Sequence, residues 1–235
     1  MNILRSQYKE NPLSLSTAYW KVEKWEKNAK TLHIKGQDYC IANRQLLHFN
    51  HKVDHSVLDK LDGIDTDVKQ NLEAFDEDVF FKLYHPMKNV EKTSHIYKIK
   101  KVTQFEYDQV VEFINHSYDH ISVDKKYVES WTQHQVYDPN LWIWLIRGDE
   151  KIALGIAEYD KSIKEGALEW IQVKADYRGM GVGKILVLEL LNRMKEANFV
   201  SVAGEVDNNS RPDKLYRSCG FIGHKIWYHY KRKRG

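Results

Sequence analysis

Arg178-Gly179-Met180-Gly181-Val182-Gly183-Lys184 separates a short apolar alternating run, Leu168 to Val173, from a long amphipathic one, Ile185 to Ala197. That order predicts a strand, a glycine loop and a helix N-terminus, because side chains alternate along a strand and recur once per turn on a helix face. Glycines at alternate positions let the backbone come close to a ligand. The first amides of the helix lack intrahelical partners and point outward with the helix dipole, so an anion, and a phosphate in particular, is the physical expectation.

Two familiar phosphate loops fail on spacing. A P-loop requires a glycine five residues before Gly183 and a Ser or Thr after Lys184, where this chain has Arg178 and Ile185. The dinucleotide fingerprint requires its third glycine at Lys184 when counted from Gly179, or at Leu186 when counted from Gly181. The pattern Q/R-x-x-G-x-G/A does fit, with Arg178, Gly181 and Gly183 in its fixed places. Downstream, Phe199 to Val206 reads as a strand and Asn208 to Pro212 as a polar loop. Pro212 to Cys219 then reads as a short helix, with proline near its first position and Gly220 as its stop.

With these residues the chain resembles the GNAT superfamily of acyl-CoA-dependent N-acetyltransferases. Leu215-Tyr216-Arg217-Ser218-Cys219-Gly220-Phe221 is similar to the L-Y-x-x-x-G-F that closes many such domains, and Asn209 precedes Tyr216 at the family's spacing. The resemblance implies an α/β fold of the α+β kind, with a central mixed, mostly antiparallel twisted sheet flanked by helices. It implies acetyl-CoA as the acetyl-donor cosubstrate and a primary amine as acceptor. Arg178, Gly179, Met180, Gly181, Val182, Gly183 and Lys184 would hold the pyrophosphate, and Asn209 would touch the coenzyme. The backbone amides of Ile171, Gln172 and Val173 would bind the pantetheine arm and polarise the thioester carbonyl.

Acetylating an amine requires its neutral form, yet a lysine-like amine with a pKa of ~10.4 is only roughly one part in a few thousand deprotonated at pH 7. A positioned base therefore helps. Glu169 is the candidate: period-two alternation places it on one strand face with Ile171 and Val173, and the family often carries a glutamate base on this strand. Tyr216 matches the family's general acid, and a phenol is protonated at neutral pH and able to donate. Cys219 invites a covalent acyl-enzyme, but no histidine closely precedes it, so a small buried apolar residue is the favoured reading.

Composition excludes several classes. At 235 residues, with 42% hydrophobic and 29% charged residues, the chain is globular in balance. No apolar run approaches the ~20 residues of a membrane span, and Met1 to Ser6 has no signal-peptide core, so a cytoplasmic location is expected. Cys40 and Cys219 are too few and too far apart for a disulfide framework or a metal-ligand set. A net charge of +3 does not argue for nucleic acid, and Lys231 to Arg234 reads as a solvated tail. His48, His51 and His55, and also His116 and His120, have helical spacing but no accompanying carboxylate array, so no metal is assigned. The resemblance implies instead that His116 to His120 borders the acceptor.

A boundary is expected near residue 93, giving an N-terminal region 1–93 and an acetyltransferase domain 94–235. The latter reads as strand His95 to Ile99, helix Gln104 to Asn115, helix Lys126 to Gln135, and strands Leu141 to Ile146 and Ile152 to Tyr159 about a turn at Gly148-Asp149, before the loop described above. Its last strand is expected to be short. In the N-terminal region, Thr31 to Ile34 and Asp38 to Ile41 suggest a hairpin, Thr66 to Phe75 a helix, and Val79 to Tyr84 a strand, while Asn11 to Ser16 and Tyr19 to Lys21 suggest a docking segment or packed strap. The pattern does not separate a degenerate second half from an unrelated lid. A catalyst and a non-catalytic acyl-CoA-binding sensor or scaffold both remain open, and oligomeric state is not legible.

Overall fold

The computed structural model describes residues 30–34, 37–43, 46–49, 72–93, 96–117, 122–134, 136–161, 164–206 and 212–232. Residues 30–34, 37–43, 46–49 and 227–232, with 72, 75, 78, 82, 224 and 225, are described by their backbone path alone. Asn209, the docking segment, most of the Thr66 to Phe75 helix, and His51, His55 and His120 lie outside the described residues. The chain divides into two compact units, neither of them continuous in sequence. One comprises 84–202 with 213–222, and the other 1–83 with 203–212 and 223–235.

The first unit carries the glycine loop. Its strands are β5 (Lys98–Lys101), β6 (Trp142–Arg147), β7 (Glu150–Asp160), β8 (Glu165–Val173) and the start of β9 (Phe199–Glu205), side by side in the order β9-β8-β7-β6-β5. The β5/β6, β6/β7 and β7/β8 pairs are antiparallel, and β8 and β9 are parallel. The β6–β7 connection turns at Gly148-Asp149 as expected, with Gly148 at φ 60°, a left-handed conformation that suits glycine. A parallel pair cannot be closed by a hairpin, and the crossover between β8 and β9 is the helix α3 (Val182–Arg193).

Helices α1 (Tyr107–Asn115) and α2 (Lys125–Trp131) precede β6. Thr103 and Glu106 form a capping box at the entry to α1: the Glu106 carboxylate accepts from the Thr103 N–H at 2.8 Å and from its hydroxyl at 2.9 Å. The Asp124 carboxylate accepts from the Tyr127 N–H at 2.7 Å and starts α2. The apolar stripes of both helices, Val110 and Ile114 with Val128 and Trp131, share one buried cluster with Trp142, Trp144, Leu154 and Ile156. A Cβ on Gly155, one residue out of phase on β7, would instead come within 2.8 Å of Leu186 of α3. Because strand side chains alternate, α1 and α2 cover one face of the sheet and α3 covers the other.

In the second unit, β1 (Lys30–Ile34), β2 (Gln37–Asn43), β3 (Leu46–Phe49), β4 (Phe75–His85) and β10 (Ile222–Arg232) lie in the order β1-β2-β3-β10-β4. The expected hairpin is present, with Thr31 opposite Cys40. His48 lies on strand β3, which removes the helical face imagined for it with His51 and His55. The expectation of a short last strand is overturned, since β10 has 11 residues and pairs Tyr228–Lys231 with Leu46–Phe49. Lys231 and Arg232 therefore belong to a strand rather than to a solvated tail. Phe81 lies close enough to Gly204 that an added Cβ would meet its ring at 2.6 Å.

Candidate functional site

The loop between β8 and α3 contains a single 3-10 turn, Ala175–Tyr177, followed by Arg178 to Gly181. Gly179 and Gly181 adopt φ of 77° and 79°. Nothing lies within 4 Å of a Cβ built at either position, so both are glycines for their backbone conformation and the space above them is open. Gly181 caps α3, and its carbonyl accepts from Ile185 N–H at 3.2 Å, leaving the amides of Val182, Gly183 and Lys184 at the free helix end.

Gly183 departs from the sequence reading. It is helical, and its missing side chain leaves room for Leu215 of helix α4 (Pro212–Ser218), whose Cδ2 would stand 3.1 Å from an added Cβ. Val182 is 1% exposed, so only its backbone can face a ligand, whereas Met180 is exposed. Arg178 is turned back, with Nε donating to Val173 O at 3.1 Å. Lys184 is turned to Glu91, 2.9 Å away, which raises the pKa of its ammonium through their hydrogen bond.

Beside the loop, β8 is paired with β7 through Val173, but its ladder with β9 ends at Leu168 opposite Val202. Lys174 N–H donates to Ile152 O of β7 at 3.0 Å. Since amides alternate in direction along a strand, those of Ile171 and Val173 point away from β7, toward the side where the β9 ladder has ended. Gln172 therefore presents its amide to β7, and its own side chain is 4% exposed.

The alternation assumed for Glu169 does not hold. Trp170 lies opposite Ile156 and Leu168 opposite the next residue, Ala157, so Glu169 is the extra residue of a β-bulge. The face of Ile171 and Val173 continues through Leu168, not Glu169. A bulge re-aims the side chain it carries and occurs often beside active sites; Glu169 is half-buried there.

Tyr216 lies on α4, 8% exposed, with its ring edge-on to Phe221 at 5.7 Å. Cys219 is 5% exposed, and burial pushes its thiol up to about 11, so it stays protonated and unreactive at neutral pH. Sequence reading missed His85. Its Nδ1 accepts from Met87 N–H at 3.0 Å, its ring meets Phe221 edge-on at 5.5 Å, and Gly220 lies against its Nε2 side. Burial lowers its pKa, which favours the neutral ring.

A cavity of about 520 Å³ opens under α1. Gln109, Glu112, Phe113, His116 and Ser117 supply its α1 wall, Trp144 and Lys151 its sheet side, and Val173 to Ala175 with Arg178 its loop side. Its lining comes from segments far apart in sequence; His116 and Ser117 belong to the stretch expected to border the acceptor, and Val173 and Arg178 to those expected to hold the coenzyme. Lys151 bonds Glu106 and Gln109 and lies over the Trp144 ring, 4.6 Å from its centre. Burial pushes the Glu106 carboxyl up, but its bonds to Lys151 and Thr103 outweigh that and hold it below the usual range.

Residues 107–221 match the Acetyltransferase (GNAT) family. Among solved structures, the chain is similar to a GNAT-family acetyltransferase from Colwellia psychrerythraea, with 14% identity, TM-score 0.59, and 98% of this chain and 96% of that one covered. A Drosophila protein aligns at 12% identity and TM-score 0.59, covering 98% and 94%. A GCN5-related N-acetyltransferase from Sphaerobacter thermophilus aligns at 15% identity and TM-score 0.57, covering 74% of this chain but only 58% of that one. At these identities the likeness is one of fold. No curated protein matches the chain.

Proposed function

Because residues 107–221 place this chain in the GNAT acetyltransferase family, we propose that it is an N-acetyltransferase moving an acetyl group from acetyl-CoA to a primary amine by direct attack in a ternary complex. The observation that carries this reading is the junction of β8 and α3. There two left-handed glycines, open above, precede a free helix N-terminus, and the adjoining strand turns the amides of Ile171 and Val173 to its unladdered side. Those features suit a pyrophosphate followed by an amide-bearing arm, so the residues present fit the coenzyme.

When bound, acetyl-CoA would supply an activated thioester. The chain's own groups would do the rest. The helix-end amides of Val182, Gly183 and Lys184 hold the diphosphate, and the strand amides orient the arm and stabilise charge developing on the carbonyl oxygen, work typically worth about 2.7–4 kcal/mol for one such donor. Glu169, re-aimed by its bulge, takes a proton from the acceptor amine. Tyr216 hands a proton to the departing sulfur. Lys184 would exchange Glu91 for the phosphate.

The test is twofold. Acetyl-CoA should raise the thermal midpoint, because a ligand bound only by the folded state stabilises it by roughly 2.7 kcal/mol at a hundred times its dissociation constant. Gly181→Asp, which sets a carboxylate at the α3 N-terminus, should abolish that shift while the protein stays folded by circular dichroism. Free CoA should then be released with at least one member of a primary-amine panel. An undiminished shift in folded Gly181→Asp removes the coenzyme site, and stabilisation without CoA release with any amine supports a non-catalytic acyl-CoA-binding module.

A further inference from the structure

The cavity under α1 has two walls of opposite character, and its volume of about 520 Å³ lies within the roughly 300–1,000 Å³ of small-molecule sites. At the C-terminal end of α1 the groups left over accept hydrogen bonds. His116 Nδ1–H donates to the Glu112 carbonyl at 2.8 Å, so Nε2 of the neutral ring keeps a lone pair. The Ser117 hydroxyl donates to Phe113 O at 2.8 Å, which leaves its own oxygen to accept. Among the described residues the Glu112 carboxylate makes no hydrogen bond or ion pair, and this end of a helix is the negative end of its dipole. On the loop side Arg178 spends Nε on Val173 O, and among the described residues its two terminal nitrogens are unbonded. The other two cations of the lining are already matched, Lys151 by Glu106 and Lys174 by Glu150 at 2.7 Å. One free carboxylate and one free guanidinium thus line the same cavity without pairing with each other.

We propose that this cavity binds a small zwitterion, an amine that also carries a carboxylate, with its ammonium at the C-terminal end of α1 and its carboxylate on Arg178. The site does not depend on the acetyltransferase reading above. An ammonium has donors and no acceptor, which suits Glu112, His116 Nε2 and Ser117 Oγ. A carboxylate has acceptors only, which suits the terminal nitrogens of a guanidinium in a bidentate pair. A ligand of single charge satisfies one wall and burdens the other, since a plain amine brings a second cation to Arg178 and a plain acid a second anion to Glu112. Phe113 and Val173, both half-buried, add apolar lining that suits the methylenes joining the two groups. The same chemistry belongs to an amino acid that is itself the acetyl acceptor and to one that binds as an effector.

The probes are the linear amino acids from glycine to 6-aminohexanoate, each set against the alkylamine and the alkanoate of matching chain length, so that only the charges differ. In ¹⁵N–¹H spectra of the full chain without coenzyme, the Ser117 amide and Arg178 Nε–H signals should titrate with at least one zwitterion. Its Kd should lie about tenfold or more below those of both controls, as expected for hydrogen bonds to charged groups. Read at the Ser117 amide, Glu112→Gln should erase the advantage over the alkanoate and Arg178→Gln the advantage over the alkylamine, each in a protein folded by circular dichroism. The proposal is overturned if no zwitterion exceeds its controls or if both advantages survive in either variant. Binding that saturating coenzyme A abolishes also overturns it, by giving the cavity to the coenzyme. Mass spectrometry of the same zwitterion incubated with acetyl-CoA and the chain separates the two sources, since an acceptor is N-acetylated and an effector is recovered unchanged. Because binding is read without acetyl-CoA, a failed zwitterion site and a failed coenzyme site give different results.

Discussion

Tyr216 and Glu169 differ in what their surroundings allow. The Tyr216 ring is packed against Phe221, so Tyr216→Phe keeps nearly all of its contact surface and removes only the hydroxyl. Turnover should fall by about a hundredfold or more, with acetyl-CoA affinity little changed, because a proton donor to the leaving sulfur acts chiefly in the transition state. Unaltered single-turnover acetylation with chemistry limiting would make Tyr216 a packing residue. For Glu169→Gln the informative measurement is the pH profile. A missing base should be rescued at high pH, where free amine is abundant, whereas a damaged fold lowers the rate at every pH. Superimposable profiles would exclude Glu169, and a water relay would take its place. Cys219 could be mistaken for a nucleophile from its sequence position, but burial holds its thiol protonated.

Among the elements, α3 does two jobs at its N-terminus. Its free amides face the open loop, while Gly183 admits Leu215 of α4. Gly183→Val would drive a branched side chain into that contact, and overpacking of this kind costs about 1–3 kcal/mol. Urea unfolding should show the loss, and the acetyl-CoA-induced shift should shrink with it as α4 is pushed off the helix end. A variant as stable as the wild type would mean that Leu215 yields without cost. Along its length α3 is held from outside as well, since Glu189 accepts from Thr93 at 3.3 Å and Asn192 donates to the Glu91 carbonyl at 3.0 Å.

For the molecule as a whole, His85 ties stability to pH. Its pKa is lowered by burial from an ordinary 6.5, so the unfolded chain binds its proton first as the solution is acidified. Stability from the neutral ring is therefore fully present above about pH 6.5 and is lost as pH falls from there toward the depressed folded pKa. His85→Asn keeps an acceptor for Met87 N–H without the titration. Its unfolding free energy should decline less steeply than the wild type's below pH 6.5, as measured by denaturant titration across that range. Parallel declines would assign the acid sensitivity elsewhere. Among the described residues no helix is long and apolar enough to cross a membrane.

Local order was legible in the sequence. The glycine loop, the strand before it, the helix after it and the Pro212-to-Gly220 helix and stop all follow from periodicity and from glycine and proline chemistry, which act over a few residues. The N-terminal hairpin was legible for the same reason. What the sequence could not determine depends on partners distant in the chain. The bulge at Glu169 is a relation between β8 and β7, and it overturned an alternation that β8 alone implied. The opening beside Ile171 and Val173 exists because the β9 ladder stops at Leu168, and the missing side chain of Gly183 makes room for Leu215. The length of β10 was hidden because its partner, β3, lies in the N-terminal region. The cavity under α1 brings Glu112 and Arg178 to one lining from a helix and a loop distant in sequence. Backbone preference and side-chain period are properties of a segment and can be read from it, whereas register, burial and an unpaired polar atom are properties of neighbours, which only the tertiary structure supplies.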